Sequence, residues 1–341
     1  MSETSTGGRR VRLSFQGFVR PLVLALLAVL VLVGGRLVSE SLPSWLAVQS
    51  ILTLSLFVTV IALGQGLVML TGGLDLSVPG VIALSATVLA LWVSVYDGNV
   101  IVGVILALLA SIIVGLFNGW LVAKFDIPAF IVTLAVQGIL VGLTVGVTFG
   151  RKAPAAPDVI VTMFSGSGKL LGVGLPVFFF FLVAIVGYLI QAKGRFGRNS
   201  YLIGSSSEAA RIAGRPVDRI RIGVYVLCAL GSGIAGVMLL GFSGNAQLSL
   251  GTEWLIPAIS AVLVGGTMIG SGRGVWQSTV AAAVLLTTIT VVIQGTGFSE
   301  GWKSVLYGVV VLIALLTTRA SGFGRRKRVS PVGSTGESPK E

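Results

Sequence analysis

The sequence predicts an all-α, polytopic integral membrane protein with about ten transmembrane helices and one short helix in a cytoplasmic loop. Composition is the first reason: 54% hydrophobic residues against 11% charged ones, with 47 glycines, do not describe a soluble core. Length is the second, because the apolar residues gather into ten runs near the ~20 residues that a helix needs to cross the hydrocarbon layer. Charge placement is the third. Basic residues collect between alternate runs, as in loops kept on the cytoplasmic side, and this accounts for the net charge of +12 without nucleic acid.

The first run, 18–38, follows basic residues as a signal peptide does, but no small-residue cleavage site ends it, so it reads as a retained span. The next two, 46–70 and 78–96, are separated by Thr71-Gly72-Gly73-Leu74-Asp75-Leu76-Ser77, a junction too short and apolar for an ordinary loop. Eleven of the twelve acidic residues lie in clear loops or tails, and Asp75 is the exception. Acids at membrane depth mark ion or proton pathways. Two adjacent glycines, a serine and Pro79 point to unwound backbone lining a cavity, hence to a substrate or gating element. A capping role is compatible with this, since Asp75 or Ser77 can head the third helix and its first turn accepts Pro79.

The fourth run, 100–123, carries Gly115 and Gly119 at helix-packing spacing, with Asn118 as an interhelical or solute-binding amide. Gly142, Gly146 and Gly150 repeat that spacing along the fifth run, 128–149, and mark a second close helix approach. The outward loop that follows contains Ser165-Gly166-Ser167-Gly168-Lys169, which looks like part of a phosphate-binding loop. A complete motif needs glycine where Met163 stands and Ser or Thr where Leu170 stands, so the stretch reads as a flexible external loop. After the sixth run, 175–192, the charged stretch from Lys193 to Arg221 has to lie in water. Within it Glu208-Ala209-Ala210-Arg211 is strongly helix-forming and Gly214 is a stop, predicting an amphipathic helix of about two turns.

The remaining runs are 222–242, 254–270, 275–294 and 302–318, with Asn245 and Gln247 in an external loop. The tails, 1–17 and 321–341, have too little apolar surface to fold alone. Arg325-Arg326-Lys327-Arg328, just past the last run, reads as a topology signal. One transmembrane domain, 18–320, is left, with the cytoplasmic loop 193–221 inside it. Placing both termini in the cytoplasm puts 19 of the 24 Lys and Arg residues on that side.

Much chemistry is excluded. The chain has no histidine, and its single cysteine, Cys228, sits in an apolar run, so His relays, disulfides and Cys metal sites are out of reach. No paired carboxylates or activated nucleophile stand within the runs. The expectation is a transporter and not an enzyme, with no catalytic residues, cofactor or metal.

The pattern Phe196-Gly197-Arg198…Gly204…Glu208-Ala209-Ala210-Arg211-x-x-Gly214…Val217, with Tyr225 in the next run, resembles the cytoplasmic coupling loop of bacterial ABC importer permeases of the ribose and monosaccharide branch. Gly72-Gly73-Leu74-Asp75-Leu76-Ser77-Val78 is similar to that family's Gly-Gly-Ile-Asp-Leu-Ser-Val signature. Asn118-Gly119 followed by Ile127-Pro128-Ala129-Phe130-Ile131-Val132-Thr133-Leu134 resembles its Asn-Gly…Ile-Pro-Pro-Phe-Ile-Val-Thr-Leu block, and Gly265-Gly266-Thr267 ahead of Gly272-x-Gly274 a further glycine-rich stretch. The likeness runs from about 45 to 318. This chain departs from it at Pro79, Ala129 and Arg215, where the family often has glycine, proline and an apolar residue.

The resemblance implies a division of labour. A second permease chain pairs with this one in the bilayer of the bacterial cytoplasmic membrane. Two cytoplasmic ATP-binding subunits, or a tandem ATPase, dock below, and an external solute-binding protein delivers a sugar. Glu208, Ala209, Ala210, Arg211 and Gly214 form the helix that seats in the ATPase, while Gly72, Gly73, Asp75, Ser77, Asn118 and Thr133 lie at the translocation route or its gate. The rival readings are a permease for nucleosides or branched-chain amino acids and, from another class, an ion-coupled secondary transporter.

Overall fold

The computed structural model describes residues 8–37, 39–148 and 154–295, with 301, 302, 305–309 and 312 of the last segment. Its helices are α1 (Gly8–Gly34), α2 (Trp45–Leu70), α3 (Val78–Ser94), α4 (Val100–Lys124), α5 (Ala129–Thr148), α6 (Asp158–Phe164), α7 (Leu175–Gly187), α8 (Arg195–Ser205), α9 (Ser207–Ile212), α10 (Val217–Ser243), α11 (Leu255–Val264) and α12 (Trp276–Gly295). A small antiparallel hairpin, β1 (Lys169–Leu170) and β2 (Val173–Gly174), separates α6 from α7, and α7 runs on into a π-helical turn, Tyr188–Lys193. Ser165 and Lys169 therefore connect α6 to a hairpin, and no phosphate-loop geometry forms there.

Among the described residues, seven segments are long and apolar enough to cross a membrane: Val19–Leu37, α2, α4, α5, α7 with its π turn, α10 and α12. The apolar helices α3 and α11 are shorter, at 17 and 10 residues, and most of the tenth predicted run and the C-terminal tail lie outside the described residues. The protein is an all-α, multi-pass membrane protein.

Helices α2 and α10 form its centre. Leu56, Phe57 and Leu67 of α2 and Val224, Leu239 and Leu240 of α10 are excluded from solvent. As the spacing predicts, α4 lies on α10 through Gly115 and Gly119, where a Cβ would come within 2.7 Å of the Cα atoms of Val226 and Ile222. The second glycine stripe behaves differently. Gly142 and Gly146 of α5, with Gly138 one turn before, meet nothing within 4 Å and face away from the chain, while Gly150 lies outside the described residues.

Three boundaries depart from the sequence reading. Helix α1 starts at Gly8, within the expected tail, where arginines and leucine are good helix formers. Helix α10 starts at Val217, five residues early, because Pro216 suits a helix start and Asp218 faces the positive end of the helix dipole. Arg219 and Arg221 therefore belong to α10, and the 193–221 loop holds two helices, α8 and α9, in place of one.

The third departure shapes the site. Helix α11 stops at Val264 although the apolar run continues, because Gly266, at φ +92°, closes a glycine stop: its N–H donates to Leu263 (2.9 Å) and that of Thr267 to Val262 (3.1 Å). Helix α2 ends in the same way. Gly72 has φ +96°, and its N–H and that of Gly73 donate to Met69 (3.1 Å) and Val68 (3.0 Å). The two ends touch, with the Gly270 N–H donating to the Met69 carbonyl at 2.9 Å. Arg20, inside the first span, donates to the Val264 carbonyl at 2.8 Å and so satisfies the C-terminus of α11.

Candidate functional site

Between α2 and α3 the chain is unwound from Thr71 to Ser77, as the Gly-Gly-x-Asp-x-Ser pattern predicts. The side chain of Asp75 is buried, and its Oδ1 accepts from the Ser77 N–H (2.9 Å) and hydroxyl (2.6 Å). Ser77 occupies the N-cap of α3 without a side-chain cap bond, so the acid fixes the turn into α3 and does not cap the helix directly. Asn118 of α4 then donates to Ser77 Oγ at 2.9 Å, a bond between α4 and the start of α3.

Helix α5 clamps the same segment. Thr133 Oγ1 accepts from the Leu76 N–H at 3.0 Å and faces the Leu74 carbonyl at 3.2 Å, and Gln137 Oε1 accepts from the Gly80 N–H at 2.7 Å. Across from it stands α10. The Tyr225 hydroxyl lies so close to Gly73 that any side chain there would collide with it, and Cys228 lies 3.7 Å from Gln65 Oε1 of α2. The six residues expected at the gate therefore fall at one place, around the break, although Gly72 itself is exposed at its rim. Gln65 and Gln137 join them unannounced, and Tyr225, which the sequence offered only with the coupling-loop pattern, stands here too. A lone glutamine in an apolar span is the signal that would have found the first two.

The node has spare polar capacity. Asp75 Oδ2, Asn118 Oδ1, Gln65 Nε2 and Tyr225 Oη are buried with no hydrogen-bond partner among the described residues. Below the node a crevice of about 160 Å³ opens between Thr71–Gly73, the α4–α5 turn at Asp126 and Pro128, and Tyr225. One prediction follows at once. Thr133→Val keeps the shape but strands the Leu76 N–H, so it lowers stability by about 1–3 kcal/mol, readable as a lower thermal midpoint beside the milder Thr133→Ser.

At the same end of the bundle lies the basic loop. Helix α9 is capped by Ser206, whose side chain accepts from the Ala209 N–H at 3.1 Å, and is ended by Gly214 at φ +70° in another glycine stop. Ala210 is buried with Ile203, Val217 and Ile220, so it anchors the helix and offers nothing outward. Glu208, Ala209, Arg211 and Gly214 are exposed, as is Ile212 at 84%, an open apolar side chain that the pattern did not single out. Helix α8 fixes this unit to the end of α2 and the turn after α11. Gly204 lies against the Leu70 carbonyl and Gly272, and Tyr201 donates to the Gly274 carbonyl at 3.0 Å while accepting from Gln191 at 3.0 Å. Burial pushes the Tyr201 phenol up, and the Gln191 bond pulls it back. At the other end, Asn245 and Gln247 bond each other at 2.7 Å.

Comparison with known proteins places this arrangement. The chain is 32% identical over 297 residues to the ribose import permease protein RbsC of Escherichia coli K12, covering 86% of this chain and 92% of that one. It is 33% identical over 280 residues to the Bacillus subtilis protein of the same name, covering 81% and 87%. It is 29% identical over 304 residues to the fructose import permease protein FrcC of Rhizobium meliloti, covering 86% and 82%. No solved structure matches at comparable stringency. The family described as branched-chain amino acid transport system / permease component matches residues 47–315, and this chain belongs to it, on the branch of ABC importer permeases that its sugar-import relatives represent.

Proposed function

We propose that this chain is the membrane-spanning subunit of an importer that moves a monosaccharide into the cytoplasm, driven by ATP hydrolysed on other chains. The observation that carries the reading is the pairing, at one end of one bundle, of an anchored helix with an open face and an unwound, polar break. Helix α9 offers Glu208, Arg211 and Ile212 to a soluble partner. The break is not neutral throughout, since Asp75 lies in it and Asp126 and Arg221 line its crevice, but it also offers hydroxyls, amides and backbone to a solute.

The positive charge of that end supports a cytoplasmic placement for it and for both termini, and the importer reading sets the chain in a bacterial inner membrane. Two ATP-binding subunits, or a tandem ATPase, seat on α9 and its closing glycine, because the sequence carries no complete nucleotide-binding motif of its own. A solute-binding protein delivers sugar at the opposite face. The outward glycine stripe of α5 suits close approach by a second permease chain. Gly72, Gly73, Asp75, Ser77, Asn118 and Thr133 form the gate.

The family description names branched-chain amino acids, and that alternative needs an answer. A zwitterion asks for buried charge of both signs, yet among the described residues Asp75 is the one fully buried charged side chain. A sugar asks only for hydrogen bonds, and the relatives quoted above are sugar permeases by name.

The test is uptake of labelled ribose, with fructose, xylose, galactose, a nucleoside and leucine as competitors, by vesicles holding this chain, its ATPase and its binding protein. Uptake that needs all three proteins and ATP, and that one sugar competes away, is expected. Competition by leucine or the nucleoside would move the chain to the rival substrate class. Movement by this chain alone, with a proton or sodium gradient, would make it a secondary transporter.

A further inference from the structure

One charged hub at the basic end is announced by no motif. Asp218, in the first turn of α10, accepts from Arg211 Nη2 of α9 at 3.1 Å and lies 3.8 Å from Nζ of Lys124, in the last turn of α4. One turn further along α10, Arg221 reaches Asp126 of the α4–α5 turn at 3.9 Å. Side-chain exposure of 56% at Lys124 and 60% at Arg211 means that water screens these pairs, and such pairs add little to folding stability. Their use is geometric. They fasten the outward-facing helix and the α4–α5 turn to the same end of α10.

The turn leads straight to the gate. Helix α5 begins at Ala129, and one turn later Thr133 holds Leu74 and Leu76, followed by Gln137 on the Gly80 N–H. The crevice between the turn and Thr71–Gly73 leaves space for the turn to swing toward the break. A displacement of α9 therefore has a route: Arg211 to Asp218, Asp218 to Lys124, and the α4–α5 turn to the side chains that grip residues 74–80.

We infer that Asp218 is a positioning residue for transport, joining the ATPase-facing helix α9 to the α4–α5 turn so that movement of the one shifts the gate through α5. This rests on the importer reading above. It concerns coupling between two places, so its measure is how much solute moves for each ATP consumed.

The experiment uses the whole transporter in proteoliposomes, with the binding protein outside and ATP at the ATPase face. Ribose uptake per ATP hydrolysed and the thermal unfolding midpoint are measured for wild type, Asp218→Asn, Asp218→Glu, Lys124→Gln and the Lys124→Gln/Asp218→Asn double variant. Asp218→Asn is expected to lower uptake per ATP about fivefold or more while the midpoint falls only slightly, and Asp218→Glu to restore most of the uptake. The double variant should be no worse than the poorer single one, since both remove the same link. An unchanged ratio in Asp218→Asn, a loss matched by a steeply falling midpoint, or fully additive losses in the double variant would each overturn the assignment. Absence of ATP-driven uptake in the wild type would instead overturn the importer reading, and the hub with it.

Discussion

Reversing the charge at Glu208, or replacing Gly214 with Trp, leaves the permease folded in the membrane and stops ATP-driven uptake. Both residues are exposed, and among the described residues Glu208 forms no ion pair within the chain. Little folding energy is therefore at stake in Glu208→Lys. The helix keeps its Ser206 cap and its Ala210 anchor, while its outward face changes sign. Contacts at the centre of an interface cost about 2 kcal/mol or more when spoiled, roughly thirtyfold in affinity.

Gly214→Trp acts through shape. A non-glycine residue at φ +70° costs about 1–2 kcal/mol, which a bundle of this size survives, and the surroundings are open, with nothing within 4 Å of a new Cβ. The indole then stands on the surface where the ATPase has to seat. The checks are co-purification of the ATPase, the unfolding midpoint and uptake. Normal uptake by both variants would remove α9 from the coupling role, and a collapse of the midpoint would show that its role is structural.

Asp75→Ala is expected to be the most damaging single change at the gate. It leaves the Ser77 N–H and hydroxyl without their acceptor in a place closed to water, at about 1–3 kcal/mol for each stranded group. The loss spreads, because Asn118 is held through that same hydroxyl. Asp75→Asn retains an acceptor oxygen for Ser77 and is expected to be much milder. The order of midpoints should be wild type, Asn, then Ala, and vesicles with the Ala variant should leak labelled ribose without ATP. Equal stability of Ala and Asn would mean that the hydrogen bonds to Oδ1 do not hold the break.

Much of this was legible in the chain. Spans follow from apolar length, and the break follows from Gly72, Gly73 and Asp75 standing where a helix should continue. What stayed hidden depends on distant partners. The end of α11 was missed because apolar residues continue through Met268 and Ile269, so hydropathy outvoted the two glycines that stop the helix. Asp218 looked like one more charge in a solvated loop, since Lys124 reaches it only once α4 has packed on α10. Ala210 was placed with its neighbours on the partner face because a two-turn helix in isolation does not say which side is covered. The glycine stripe of α5 obeys the same spacing as Gly115 and Gly119 yet faces outward, so spacing alone cannot name the helix that fills it.

The seat of α8 on the end of α2 carries one more consequence. Gly204 meets the Leu70 carbonyl and Gly272 backbone to backbone, with no side chain in between. Leucine pads yield by hopping between rotamers, so a push on them is partly absorbed as heat. Bare peptide against bare peptide has no such slack. Gly204 stands in the last turn of α8, beside the start of α9 at Ser207, so α9 and the end of α2 are neighbours across that bare contact. Such a joint also wears no lubricant, and even one added methyl at Gly204 would jam it.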